Sequence, residues 1–226
     1  MSSANVSRLV AMLSDPKRRI YAGILSISLL FSTSSAAINI EVTQSNGEPA
    51  AGVVVTLSSD QLVVGQASGQ EMGQRARQFD PHVLIVQKGA TVSFPNYDNI
   101  KHHVYSFSAV KSFEQELYKG RESKPVTFEQ AGVVELGCNV HDWMLGYIYV
   151  TESPIYGKTD EQGKLALPEV PDGKYDVTVW HPRLDNDSNS VKISADIAGT
   201  FNIALKDKIA EATDSASEFE FNFDEY

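Results

Sequence analysis

A single cysteine, Cys138, stands three residues before His141 and six before Met144, in the stretch GVVELGCNVHDWMLGYIYV that runs from Gly132 to Val150. A thiolate, an imidazole and a thioether at this spacing are donors that suit copper. Two imidazoles and a thiolate with a weak, long axial Met make an electron-transfer copper site. With five His and four Met in 226 residues, both offsets arise by chance roughly once in 2,500. The competing reading is an inert, buried cysteine with His and Met as loop filler. Three donors lie in one short segment, so a second imidazole must come from elsewhere in the chain.

Apolar runs flank these donors, Val133-Val134-Glu135-Leu136 before and Tyr147-Ile148-Tyr149-Val150 after. Both read as strands, so Cys138 to Met144 is a tight loop between them. Upstream, His102-His103-Val104-Tyr105-Ser106-Phe107 alternates like a strand after a turn cluster, Pro95 to Asn99. Neighbouring strand residues face opposite sides, so either His102 or His103 supplies the missing imidazole. Further strands are expected at Ile38–Val42, Val53–Leu57, His82–Val86, Ala90–Phe94 and Pro125–Phe128. Residues 58–77 read as a long polar loop with Arg75 and Arg77 in solvent. Ser112–Tyr118, inside the polar excursion 110–131, reads as a short helix.

Gly89-x-x-Val92-x-Phe94-x-Asn96, a histidine six residues on, then Cys138-x-x-His141-x-x-Met144 after a long gap, resembles the cupredoxin pattern over residues 77–151. The short ligand loop is most similar to that of amicyanin. The resemblance implies a Greek-key β-sandwich holding one type 1 copper, with His102, Cys138 and His141 as strong ligands and Met144 axial. Cupredoxins usually carry Asn just after the first ligand, to tie the two ligand segments together. This chain has His103 there, which alters that support and keeps His103 open as the alternative ligand.

Residues 1–37 read as an export signal. Lys17-Arg18-Arg19 precede an apolar run from Ile20 to Phe31 and a small-residue segment ending Ala36-Ala37, after either of which cleavage is expected. The run is too short for a comfortable membrane span, and the expected compartment is the periplasm. From 19 basic and 29 acidic residues the signal takes four and one, leaving 15 and 28, a formal charge of −13. Such a balance argues against nucleic acid and anionic membrane surfaces as partners. One cysteine in an oxidising compartment has no internal disulfide partner, and a bound metal would protect it.

Beyond Thr151, a turn at Thr159–Gly163, a run Leu165–Val170, a Pro171-Asp172-Gly173 turn and a run Tyr175–Trp180 follow closely. Residues 152–206 thereby resemble the carboxypeptidase-regulatory, prealbumin-like β-sandwich. The expected class is all-β, a cupredoxin sandwich plus this second small sandwich. Residues 38–76 either begin the first or supply the opening strands of the second, and residues 207–226 form an acidic, aromatic tail that reads either as an added edge strand or as a mobile interaction tail. His181, at a strand end before Pro182, reads as structural. Asp185-Asn186-Asp187-Ser188-Asn189 has Ser190 where an EF-hand needs Gly, and reads as a turn.

No hydrolytic or phosphate-binding constellation occurs in the sequence, and a non-enzymatic role is expected. The likeness to amicyanin implies a periplasmic one-electron carrier between a dehydrogenase and a c-type cytochrome, in methylamine use, docking near His141 and Trp143. Two other readings stand beside it: copper storage, delivery or sensing without electron transfer, and an adhesion module whose copper site is empty.

Overall fold

The computed structural model describes residues 35–211, apart from 61, 64 and 66, and among these every regular element is a strand. In chain order they are β1 (Ser35–Thr43), β2 (Val54–Ser58), β3 (Gln70–Glu71), β4 (Gly73–Arg75), β5 (Gln78–Asp80), β6 (Val83–Gln87) and β7 (Thr91–Ser93). Then come β8 (His102–Ser108), β9 (Lys111–Tyr118), β10 (Val126–Thr127), β11 (Gly132–Gly137) and β12 (Leu145–Thr151). The C-terminal part adds β13 (Ile155–Lys158), β14 (Lys164–Pro171), β15 (Gly173–Trp180), β16 (Ser190–Ile197) and β17 (Thr200–Ala204). The protein is all-β.

Two sheets enclose the core beside the cysteine loop: a five-stranded one, β6-β12-β11-β8-β9, and a three-stranded one, β10-β7-β3. Alternation decides which side chains meet. Val134 and Leu136 on β11 and Ile148 and Val150 on β12 point inward, toward Val92, Phe94 and Phe128. A second core lies between β14-β1-β17 and β13-β2-β15-β16. There Ile38, Ile40 and Val42 pack with Val55, Leu57, Val177 and Val179.

The N-terminal strands close this second core. β1 pairs antiparallel with β14 and parallel with β17, and β2 lies between β13 and β15. The chain from Met72 to Val150 builds the first core between those two sets of partners. Pairing of β1 changes register between Ala37 and Ile38, one of the two expected cleavage points, and Ile38–Thr43 lies beyond both. The rest of the expected signal, and the tail beyond residue 211, lie outside the described residues. The start of that tail is held: Ile209 bridges Leu184 and donates its N–H to Gln44 Oε1.

Val53, Val54 and Val55 are all fully buried. Such a run, rather than an alternating one, belongs to a strand covered on both faces. Val55 enters the second core, whereas Val54 joins Trp180 and Val83 in a third apolar layer completed by Ile85, Val133, Tyr147 and Tyr149. This layer places the outer face of the five-stranded sheet on that of the four-stranded one. The Trp180 ring meets Tyr147 at 5.8 Å and Tyr149 at 5.3 Å.

Two expectations need correction. Ser112–Tyr118 is strand, not helix: Phe113 and Gln115 turn inward while Ser112, Glu114 and Glu116 face solvent. Pairing with β8 overrides the helix-forming tendency of its Glu and Gln. Within the supposed loop 58–77, β3 pairs with β7 and β4 forms a hairpin with β5. Arg75 is exposed but engaged, with Nε 3.2 Å from Asp80 and its guanidinium 3.6 Å from the Tyr97 ring centre.

Candidate metal centre

Cys138 follows the last residue of β11, and Leu145 opens β12, so a hairpin of two long paired strands delivers the donor loop. Inside it the Met144 N–H donates to the His141 carbonyl, closing a turn that leads from His141 into β12. Gly137 is required just before the cysteine. It sits opposite Tyr105, and a Cβ there would lie 2.5 Å from the Tyr105 ring.

His102 opens β8 on the same sheet, beside β11. Its Nδ1 lies 3.9 Å from Cys138 Sγ, and His141 Nδ1 lies 3.9 Å from the same sulfur. The three donor atoms fall within 4.8 Å of one another. His102 is 0%, Cys138 3%, His141 8% and Met144 1% exposed, so all four sequence candidates are buried.

Donor spacing tests whether a metal fits. An ion about 2.0–2.1 Å from nitrogen and about 2.3 Å from sulfur, at trigonal or tetrahedral angles, sets nitrogen–sulfur separations of about 3.6–3.8 Å. The observed 3.9 Å at both histidines is within a few tenths of that spacing. The spacing therefore suits a first-row metal ion, and the donor set of two imidazoles and one thiol, with a thioether in the same loop, suits copper in its chemistry.

His103 goes elsewhere. It points away from Cys138, and its Nε2 lies 2.8 Å from Glu114 Oε1 on β9. His181 is also apart from the cluster: its Nδ1 accepts the Arg183 N–H, a bond internal to the turn after β15. Asn186 organises the 185–190 loop, its Oδ1 accepting from the N–H groups of Ser188 and Ser190.

Asp98 is the residue that sequence reasoning missed. Its Oδ2 lies 2.8 Å from His102 Nε2, leaving Nδ1 as the nitrogen turned to sulfur. The same carboxylate accepts the Ala76 N–H at Oδ1, 2.8 Å, and the Arg77 N–H at Oδ2, 2.9 Å. Burial pushes its pKa up, but these N–H groups and His102 outweigh burial and hold it below the usual carboxylate value. Ala76 and Arg77 form the two-residue turn of the β4–β5 hairpin with φ of 49° and 60°. That turn favours Gly or Asn, and each non-glycine residue in it costs about 1–2 kcal/mol.

His141 is held below its ordinary pKa by burial first, then by His102 and Arg77, so it is neutral and able to donate a lone pair near neutral pH. The Trp143 ring lies 5.3 Å from the His141 ring, and Val140 and Leu145 in the same loop are 48% and 39% exposed. Deeper in, Tyr118 donates to the Phe94 carbonyl and Gln74 Nε2 reaches the Tyr118 hydroxyl. Burial pushes Tyr118 up to about 12, so it stays a neutral donor.

No protein-family model matches this chain, and no curated protein matches it. Among solved structures it is similar to a purple cupredoxin from Nitrosopumilus maritimus, at 22% identity over 37% of this chain and 99% of that one, with a TM-score of 0.33. It is also similar to a reduced Cu(I) variant of amicyanin, at 21% identity over 43% of this chain and 98% of that one, TM-score 0.34. A copper-containing nitrite reductase from Thermus scotoductus is similar at 21% identity over 43% of this chain and 25% of that one, TM-score 0.35.

Proposed function

We propose that His102, Cys138 and His141, with Met144 as a weak axial donor, hold one type 1 copper in an exported, periplasmic one-electron carrier. The observation that carries this reading is the approach of two buried Nδ1 atoms to 3.9 Å from the only thiol of the chain. When bound, the copper would supply a one-electron couple. The protein contributes a buried donor set fixed by a two-stranded hairpin and a neighbouring strand, so little has to move when the charge changes. Trp143, Val140 and Leu145 beside His141 offer an apolar rim suited to a small, transient redox encounter. A dehydrogenase donor and a c-type cytochrome acceptor fit that role, with amine oxidation as the source of electrons. The strands at 152–206 stand here as a prealbumin-like scaffold.

Metal content, visible absorption and voltammetry of wild type, Cys138→Ser and Met144→Leu test the assignment. Wild type binds one copper and is blue, and Cys138→Ser is colourless because the charge-transfer donor is gone. Met144→Leu keeps volume and apolarity, at under about 1.5 kcal/mol of packing cost. It remains blue with a higher potential. A blue Cys138→Ser protein, or a Met144→Leu protein with unchanged potential and spectrum, overturns the ligand set.

A further inference from the structure

The β4–β5 turn has no evident reason to be built from Ala76 and Arg77. Both adopt positive φ, where Gly or Asn is at ease. Such outliers persist when surrounding structure over-determines them, and they point toward function. The hairpin below the turn is held by Gln74, whose N–H donates to the Pro95 carbonyl and whose carbonyl accepts from the Tyr97 N–H, but the two strained residues themselves are held by one carboxylate. Asp98 takes the N–H of Ala76 on one oxygen and the N–H of Arg77 on the other, and that second oxygen also lies 2.8 Å from His102 Nε2, where an ionised carboxylate can only accept.

All three groups facing Asp98 are donors, so an acceptor is needed on both oxygens. Asn would turn an NH2 toward one of those donors. Glu would move the carboxylate by a methylene. His102 is fully buried and its ring nitrogen needs a partner, and Asp98 supplies one. The loop itself has independent support. Asn96 Oδ1 accepts the Asp98 N–H, and Asn96 Nδ2 donates to the carbonyls of Ile100 and Tyr118. Removing the Asp98 carboxylate therefore frees the imidazole and the N–H groups of Ala76 and Arg77 while the 96–101 loop stays anchored.

We propose that the Ala76–Arg77 turn, acting through the Asp98 carboxylate, is a positioning clamp that fixes the His102 ring in its Nε2–H tautomer with Nδ1 facing Cys138 before any metal arrives. Asp98 is thus a positioning residue, and so is a turn more than twenty residues upstream of the histidine it serves, as the Asp98 contacts to Ala76 and Arg77 span 22 and 21 residues. The consequence for copper rests on the copper reading above; the tautomer does not.

The full chain is tested without metal by NMR of the imidazole nitrogens, and then by titration with copper alone. Wild type shows one His102 tautomer, protonated at Nε2. Asp98→Asn mixes tautomers, lowers copper affinity 10–100-fold and shifts the visible absorption and the potential. Arg77→Val and Arg77→Gly remove the same charge, but only Val resists positive φ. Arg77→Val therefore differs from Arg77→Gly in the direction of Asp98→Asn. If Asp98→Asn fails to fold, the Arg77 pair carries the test. A single Nε2–H tautomer in Asp98→Asn, or an Arg77→Val protein matching Arg77→Gly in tautomer and spectrum, overturns the clamp. A wild type with the fixed tautomer that binds no copper supports the clamp and refutes the copper reading.

Discussion

Replacing Trp180 by Ala removes the largest side chain from the layer between the two sandwiches. Trp180 is 4% exposed. A buried aromatic of its size hides about 200 Å² of largely apolar surface, worth about 5 kcal/mol at 25 cal/mol per Å². Residual compactness of the unfolded chain reduces that by about 10–40%. The lost ring contacts with Tyr147 and Tyr149 restore about 1 kcal/mol. The expected loss is about 4–5.5 kcal/mol, at the top of the about 3–5 kcal/mol usual for a buried aromatic cut to Ala, and a large share of the about 5–15 kcal/mol that holds an ordinary domain folded. Each sandwich keeps its own closed core, so the loss falls on their coupling. The chain has two tryptophans, which leaves Trp143, beside His141, as the sole tryptophan in the variant, excited selectively over the nine tyrosines at the red edge of the indole band. In urea, Trp143 fluorescence then reports the sandwich that carries Cys138, while far-UV circular dichroism reports both. Wild type is expected to unfold in one transition and Trp180→Ala in two. A loss below about 1 kcal/mol, or coincident transitions in the variant, refutes the coupling role.

Two shorter predictions follow from burial elsewhere. His181 is lowered to about 4 by burial first, then by Arg183 and His82. The unfolded chain takes up its proton near the ordinary 6.5, so stability from neutral His181 is full above that pH, falls as pH drops from 6.5 and is gone below about 4. Solvent screening leaves on the order of 1–3 kcal/mol, read as a fall in urea midpoint between pH 7 and 4 that His181→Gln reduces; equal falls in both proteins would count against it. Gly146→Ala places a Cβ 2.7 Å from the Phe79 Cβ, which is too near the backbone to swing aside. Overpacking of about 1–3 kcal/mol should lower the melting temperature, and an unchanged value would show that Phe79 yields.

Much of this architecture is legible where alternation is strong. Val133–Leu136 and Tyr147–Val150 announce paired strands, and the spacing of Cys138, His141 and Met144 alone marks a thiol, an imidazole and a thioether in one loop. The resemblance then favours His102 over His103, as the geometry does. β9 is hidden because Lys111, Glu114, Gln115 and Glu116 are polar on both faces, and Gln115 is buried against the Lys124 carbonyl rather than against apolar neighbours. The β4–β5 hairpin is hidden because Ala76-Arg77 carries no turn signature. Asp98 is invisible for the same reason: two of its three partners are backbone N–H groups, which sequence does not distinguish.

The way β1 and β2 find their partners also governs the order in which the chain can be completed. Val53 N–H reaches Thr159 Oγ1 across 106 residues, and the Thr159 hydroxyl donates to the Ala50 carbonyl across 109. As the polypeptide emerges from its N-terminal end, Ile38, Ile40, Val42 and Val53–Val55 are made first and paired last. The segment from Met72 to Val150 meets no such delay, since the buried residues of its core all lie within it. During synthesis the outer sandwich therefore waits as two bare apolar strands, a state exposed to edge-to-edge association, until β13 to β17 arrive. The half that carries Cys138 is ready first, and its yield depends on how well those early strands are shielded in the meantime.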